Sequence, residues 1–369
     1  MLHSAAATTT NHHAGWANMA RMAPLLEQEL SVLLRGQAVP YTQSDVSPPQ
    51  GAPTDAVALR TNVCYIIAAV ILNDKNEVLL TQEAKPSCRG RWYLPAGRLE
   101  RRESLVQGLQ REVREETGLE CEPYTLLRVE ESGLRWVRFV FLATVTGGKL
   151  KTEAEADEES LQACWWDRVC PLPLRGRDML GLVGAAVAYA RLPRHPHALP
   201  SELPCPVVCL RATVVWWPPS IEEGMVYVLG CGDREVDPHL PVTVCGLSQA
   251  EASSSIQTAI TRLLQKVWPS PPKIHARMLG LLGIQHLAGV GVDGGADGIC
   301  FNILITISPT KPLAKDGGST CPAGTPGTDG GCELPVVKEP SFCWHKVEGE
   351  DIKKELASRI DAKALIPIN

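Results

Sequence analysis

The stretch Gly97 to Leu119, GRLERRESLVQGLQREVREETGL, fits the pattern G-x5-E-x7-R-E-U-x-E-E-x-G-U, where U is a bulky aliphatic residue. The fixed positions are Gly97, Glu103, Arg111, Glu112, Val113, Glu115, Glu116, Gly118 and Leu119. Ser104 followed three residues later by Gln107 is a capping box, which predicts a helix start, and Gly118 is placed to end that helix in the left-handed conformation. The helix should run about four turns. Leu105, Val106, Leu109 and Val113 recur at helical spacing and predict an inward face. Glu112, Glu115 and Glu116 lie at i, i+3 and i+4, so their carboxylates converge, and Glu116 falls at the edge of the apolar stripe. A carboxylate there costs free energy unless something compensates it.

Two readings compete for this acidic cluster. One is a solvated face on which Arg111 and Arg114 pair the glutamates. The other is a ligand set for a hard divalent cation, which relieves like-charge repulsion. The half-inward Glu116 favours the cation, and Mg²⁺ suits a site built from a few carboxylates plus substrate phosphates.

At every fixed position the stretch resembles the Nudix box. The resemblance implies an α/β/α sandwich with a mixed sheet over residues 58–196 and hydrolysis of X-P-O-P-Y compounds. It implies catalytic roles for Arg111, Glu112, Glu115 and Glu116. It implies metal ligands from Glu112, Glu115 and Glu116, with the Gly97 carbonyl and Glu158 as further ligands and Mn²⁺ as a substitute for Mg²⁺. For Gly97 a plain turn glycine is the alternative; for Glu158, a solvated acidic loop at 153–159. The order RGRWYLPAG, box, then EADEE-x4-CW is similar to the branch of the family that cleanses the nucleotide pool of oxidised purine nucleoside diphosphates such as 8-oxo-dGDP. ADP-ribose or a nucleotide sugar is the rival substrate. A nucleotide sensor that merely retains the box is the rival of another class, against which the intact glutamates argue. Leu79, Trp92, Tyr93 and Trp136 are candidates for lining a base pocket, with core packing the competing role of each.

Composition bounds the rest. The chain has 369 residues, enough for two domains with ordinary cores, and a net charge of -5, which gives no global pull toward nucleic-acid polymers or acidic membranes. No apolar run approaches the roughly 18 residues needed to span a bilayer. The thirteen cysteines are scattered and odd in number, which reads as reduced thiols in a cytoplasmic protein. Cys205 and Cys209 lack partners at zinc-site spacing.

In chain order, residues 1–57 read as a largely disordered segment, poor in acids up to residue 23, with a short amphipathic helix at 24–34. Asn62 to Leu72 reads as a central strand buried on both faces, and Glu77 to Gln82 as its hairpin partner. Strands follow the box at 125–130, 136–146 and 161–166, then a covering helix at 178–190. After a Pro/His linker, strands at 207–216 and 225–229, a helix at 253–267, and strands at 298–307 and around Cys343-Trp344 echo the first half. The echo sets Cys209 beside Cys64 and predicts a degenerate second Nudix-like α/β domain at 203–369, with a Gly/Pro/Thr-rich insertion at 308–335 read as disordered. Its helix carries no Asp or Glu between Ala252 and Val267, so it should be catalytically silent and should serve docking, pocket shaping or self-association.

Overall fold

The computed structural model describes residues 24–40, 45, 57–133, 136–218, 225–232, 237–246, 255–270, 272–287, 297–310 and 334–369. The expectations for residues 1–23 and for most of the 308–335 insertion lie outside that set. Helix α1 spans residues 24–34. The first half then runs β1 (Cys64–Ile71), β2 (Val78–Glu83), β3 (Trp92–Tyr93), β4 (Ala96–Arg98), α2 (Leu105–Thr117), β5 (Leu119–Glu131), β6 (Trp136–Gly148), β7 (Ser160–Trp166) and α3 (Asp178–Arg191).

A four-stranded mixed sheet has the order β4-β1-β6-β5, with β1 and β6 parallel and the other pairs antiparallel. A three-stranded antiparallel sheet has the order β3-β2-β7. The uniformly apolar β1 follows from burial on both faces. Ile67, Ala69 and Ile71 pack with Leu105, Leu109 and Val113 of α2. Ala68 and Val70 pack with Met179, Leu182, Val183 and Ala186 of α3. The result is the expected α/β/α sandwich. Strand β5 begins at Leu119, directly after the helix and earlier than its apolar pattern suggests, because it pairs with β6 as far as Gly148.

The second half runs β8 (Cys205–Trp216), β9 (Tyr227–Cys231), β10 (Val242–Val244), α4 (Ser255–Val267), β11 (Ile274–Gln285), β12 (Asp297–Pro309), β13 (Phe342–Lys346) and α5 (Glu350–Asp361). Its strands repeat the order and senses of the first half. Strand β12 runs parallel to β8 as β6 does to β1, while β10 and β11 pair antiparallel with β8 and β12 as β4 and β5 pair with β1 and β6. Strands β9 and β13 pair as β2 and β7 do. Backbone hydrogen bonds fix the correspondence. Ala69 N–H donates to the Pro95 carbonyl at 2.9 Å and Ala212 N–H to that of Pro241 at 2.8 Å. Leu99 N–H donates to Tyr65 at 2.9 Å and Cys245 N–H to Val208 at 2.8 Å. Cys209 therefore matches Ile66, two residues from the Cys64 suggested by the dipeptide echo. A two-residue slip keeps every side chain on its face, so alternation alone could not detect it.

Two further features join the halves. Helix α1 packs Leu26, Leu30 and Leu33 against Val215, Val228, Leu304 and Leu356, so it belongs to the second half although it precedes the first in sequence. The segment 366–369 lies between β5 and β11, with Ile368 bridged to Val129 and Ile366 to Leu281.

Candidate active site

Helix α2 is built as its sequence requires. Ser104 Oγ accepts from Gln107 N–H at 3.2 Å, Gln107 Oε1 accepts from Ser104 N–H at 2.9 Å, and Gly118 takes φ 73° and donates to the Arg114 carbonyl at 2.9 Å. At Gly118 a Cβ would also stand 2.3 Å from the Lys149 carbonyl, so the position excludes other residues. Val106 is only half-buried, and Gly108 instead completes the inward face.

Two glutamates on α2, Glu112 and Glu116, face β4, while Glu115 is partly exposed. Glu112 is 6% exposed and Glu116 only 2%. Glu116 Oε2 accepts the Ala96 N–H at 3.0 Å. Burial, with the charges of Glu112 and Glu83 added, pushes the Glu116 carboxyl well above the usual range, and burial likewise raises that of Glu112. Arg111 spans the cluster. Its Nε donates to Glu103 Oε1 at 2.6 Å and its Nη1 to Glu112 Oε1 at 2.8 Å and Glu115 Oε2 at 3.0 Å. Its Nη2 reaches Glu103 Oε2 at 2.9 Å and the Arg98 carbonyl at 3.2 Å. Burial raises the Glu103 carboxyl, but the Arg111 and Glu100 hydrogen bonds more than offset this and hold it below the ordinary range. Burial of Glu112 and Glu116 defeats the solvated-face reading for two of the three glutamates, while Arg111 pairs Glu112 and Glu115 as that reading expects and Arg114 is exposed.

Gly97 stands in strand β4, paired with Ile67, rather than in a free loop. A Cβ there would meet the Glu112 carboxylate at 2.0 to 2.2 Å. The glycine is therefore required by close approach rather than by its backbone angle.

Sequence reasoning missed Glu83 and Lys85. Glu83 ends β2, is 3% exposed, pairs through Oε1 with Arg175 Nη1, and has Oε2 buried with no hydrogen-bond partner among the described residues. Its charge raises the Glu116 carboxyl, whereas Lys85 lowers both Glu112 and Glu116. The signal was available: Leu79, Thr81 and Glu83 alternate along one face of a strand, which leaves an acid where an apolar residue belongs.

The remaining candidates divide. Trp92 and Tyr93 are packed in the core beneath α3, and the Tyr93 hydroxyl donates to Asp178 Oδ2 at 2.6 Å while accepting from Arg138 Nη1 at 2.8 Å. Leu79 is fully buried in the core beneath α2. The structure thus gives all three the packing role. Trp136 is half-buried, carries the Arg138 guanidinium over its ring at 5.7 Å, and lines a cleft of about 580 Å³ with Arg60, Cys64 and Arg98. Glu158 is exposed in the turn before β7. Two residues later, Ser160 Oγ donates to the Glu116 carbonyl at 2.7 Å, which ties that turn to the end of α2.

The donor set fits a hard divalent cation. Buried carboxylates from β2 and α2 lie near enough together to raise the proton affinity of Glu116, one oxygen of Glu83 is orphaned, and the countercharge comes from Arg111, Arg175 and Lys85. Such a site holds a cation through oxygen ligands and leaves positions for phosphate oxygens.

The NUDIX domain profile matches residues 65–172. A human protein named 8-oxo-dGDP phosphatase NUDT18 is 45% identical over 92% of this chain and 97% of its own length. The Danio rerio protein of the same name is 40% identical over 95% of this chain and 99% of its own. A solved ADP-ribose pyrophosphatase from Streptococcus suis 89-1591 covers 35% of this chain and 92% of its own at 21% identity, with a TM-score of 0.30. With the box, its buried carboxylates and a relative of this similarity over nearly its whole length, the chain belongs to the Nudix hydrolase family.

Proposed function

We propose that the protein hydrolyses oxidised purine nucleoside diphosphates, 8-oxo-dGDP among them, to the monophosphate and phosphate with Mg²⁺, and so cleanses the nucleotide pool of the cytoplasm. The observation that carries the chemistry is the burial of Glu83, Glu112 and Glu116 near enough to one another that the charges of the first two raise the carboxyl of the third. The substrate class is supported by the names of the relatives aligned over nearly the whole chain.

In this reading Glu112, Glu115 and Glu116 hold the cation, assisted by the Gly97 carbonyl and by Glu158 from its turn. The cation, when bound, neutralises phosphate charge and aligns the phosphoryl group for in-line attack by water. The chain's own residues do the rest. Ala96 N–H and Arg111 fix the carboxylate orientations. The coupled glutamates accept the proton of the attacking water as a set. Trp136, at the rim of the cleft that Arg60 and Arg98 make cationic, offers a stacking surface to the base.

We further propose that residues 203–369 are a second Nudix-like domain without activity. Arg262 Nη2 donates to the Val244 carbonyl at 2.7 Å as Arg111 does to that of Arg98, and Val244 matches Arg98 in register. On that match Leu263, Lys266 and Val267 stand where Glu112, Glu115 and Glu116 stand in α2. The segment 366–369 bridges this domain to β5, which supports docking on the first half as its role. Among the described residues no helix is long and apolar enough to cross a membrane.

The test is release of monophosphate and phosphate from 8-oxo-dGDP with Mg²⁺, beside dGTP and ADP-ribose, for the wild type and Glu116→Gln. We expect 8-oxo-dGDP to be preferred and the variant to lose activity. Equal turnover by the two proteins removes the proposed site; preference for ADP-ribose replaces the substrate.

A further inference from the structure

The second half carries a cluster that its lost carboxylates do not explain. Cys231 ends β9, His239 is bridged to it, and Asp45 arrives from the segment that follows α1. One ligand atom from each lies within 4.8 Å of the others. Cys231 Sγ is 3.1 Å from Asp45 Oδ1, and His239 Nε2 is 3.1 and 3.2 Å from the two Asp45 oxygens. Cys231 and His239 are buried.

The place of this cluster in the fold is informative. Val242 matches Ala96 in register, since the preceding prolines accept equivalent bonds. Ala96 N–H donates to Glu116 Oε2 at 3.0 Å, and Val242 N–H donates to Asp45 Oδ2 at 2.7 Å. Asp45 thus brings a carboxylate from a distant segment to the spot where Glu116 stands in the first half. Cys231 matches Thr81, which touches the Glu116 carbonyl at 3.2 Å. The cluster therefore lies at the spot that the Glu116 carboxylate holds in the first half, with Asp45 in its place and Cys231 in that of Thr81.

We propose that Asp45, Cys231 and His239 form a zinc site in the cleft of the second half. Thiolate, imidazole and carboxylate are the ligand types of zinc rather than of magnesium. Zinc bonds of about 2.0 to 2.3 Å in a tetrahedron set ligand atoms roughly 3.3 to 3.6 Å apart, so Cys231 Sγ and His239 Nε2, each 3.1 Å from Asp45 Oδ1, need to move off it by only a few tenths of an ångström. Two of the ligands are already oriented. His239 Nδ1 faces the Asp237 carbonyl at 2.8 Å, which places a proton there and turns Nε2 toward the cluster. Asp45 is held by the Val242 N–H and by its own N–H, which donates to the Val242 carbonyl at 2.8 Å. With thiolate, carboxylate and neutral imidazole the zinc site carries no net charge, as a buried site requires. Binding displaces the thiol proton and the Nε2 proton, and the fourth position falls to water. The nearby Glu29–Arg211 pair at 2.8 Å adds no net charge, and Lys266, which donates to the Asp45 carbonyl, adds one positive charge beside the site.

The test uses the full chain. Purified protein exchanged into metal-free buffer is assayed for zinc by mass spectrometry, then loaded with Co²⁺ and scanned for the near-ultraviolet thiolate-to-cobalt band. We expect one zinc per chain and the band in wild type, loss of the band in Cys231→Ser, and retention of both in Cys209→Ser and in Glu112→Gln/Glu116→Gln. Cys209→Ser controls for the buried cysteine group around Cys205, and the double variant for the magnesium site. Wild type without zinc and without the cobalt band overturns the proposal, as does a band that survives Cys231→Ser. Should Cys231→Ser fail to fold, protection of Cys231 from alkylation by added zinc in the wild type decides the matter, and equal labelling with and without zinc refutes it.

Discussion

Gly97 and Glu112 are fitted so closely that a methyl group on the glycine would lie 2.0 Å from the Glu112 carboxylate oxygen. What a Cβ would strike is the far end of a flexible side chain, which can swing aside. Gly97→Ala should therefore lose little stability, under about 1 kcal/mol, because the helix and strand need not move. Its activity should fall at least roughly 100-fold, since the displaced carboxylate no longer meets the cation in the required geometry. Thermal melts beside Mg²⁺-dependent kinetics check this; full activity in a stable variant would show that the Glu112 position is not critical.

Glu116 illustrates the opposite balance. Its carboxyl is raised by burial, so folding favours the protonated form. Metal-free protein thus has this contribution fully at pH below the ordinary glutamate range and loses it as pH rises through the raised value. Glu116→Gln keeps an acceptor for the Ala96 N–H and removes the buried charge. Near neutral pH without metal, it should be more stable than wild type by about 0.5 to 2 kcal/mol, and it should lose roughly 1,000-fold or more in turnover. Added Mg²⁺ should raise the wild-type melting temperature and leave the variant nearly unchanged. A variant less stable than metal-free wild type across that pH range would contradict the account.

Trp92 and Trp136 separate packing from recognition. Trp92→Ala empties a core position and should cost about 3 to 5 kcal/mol of stability. Trp136→Ala, at the cleft rim, should fold normally and raise KM for the nucleotide about 10- to 100-fold with a smaller change in kcat. Denaturant titration and steady-state kinetics on both variants distinguish the two, and an unchanged KM in the second would remove Trp136 from the base site.

Ile366 sits between the halves, buried and bridged to Leu281. Ile366→Ala should destabilise the chain by about 2 to 5 kcal/mol. Limited proteolysis should then cut between the halves, near residues 192–206, faster than in wild type. An unaltered digestion pattern would mean that other contacts, such as Leu59 N–H to Asp297 at 2.8 Å, suffice to hold the halves together.

Much of this was legible in the chain because local rules act within α2: the Ser104–Gln107 cap, the αL glycine and the convergent glutamates all lie inside one window. The strand order of the second half was also foreshadowed by its echoes, although their register was two residues off. What was hidden depends on distant partners. Trp92 and Tyr93 carry no local mark that tells a stacking ring from a core ring; α3, more than eighty residues on, decides it through Asp178. The packing of α1 against the second half is likewise invisible in a segment that precedes the first. Glu83 is legible in principle, through alternation along β2, which sets an acid on the inward face.

The paired donors Ala96 N–H and Val242 N–H suggest how a duplicated cleft ages. Each is a backbone group at the start of a short strand, and the architecture aims each inward whether or not chemistry takes place. On the match proposed above, Val267 stands where Glu116 does and offers no acceptor, and Asp45 accepts the Val242 N–H from another part of the sequence. One anion in such a cleft is thus demanded by the scaffold itself, so its presence in a Nudix-like relative is poor evidence of turnover, whereas the second and third carboxylates on the helix are the ones that report an active enzyme.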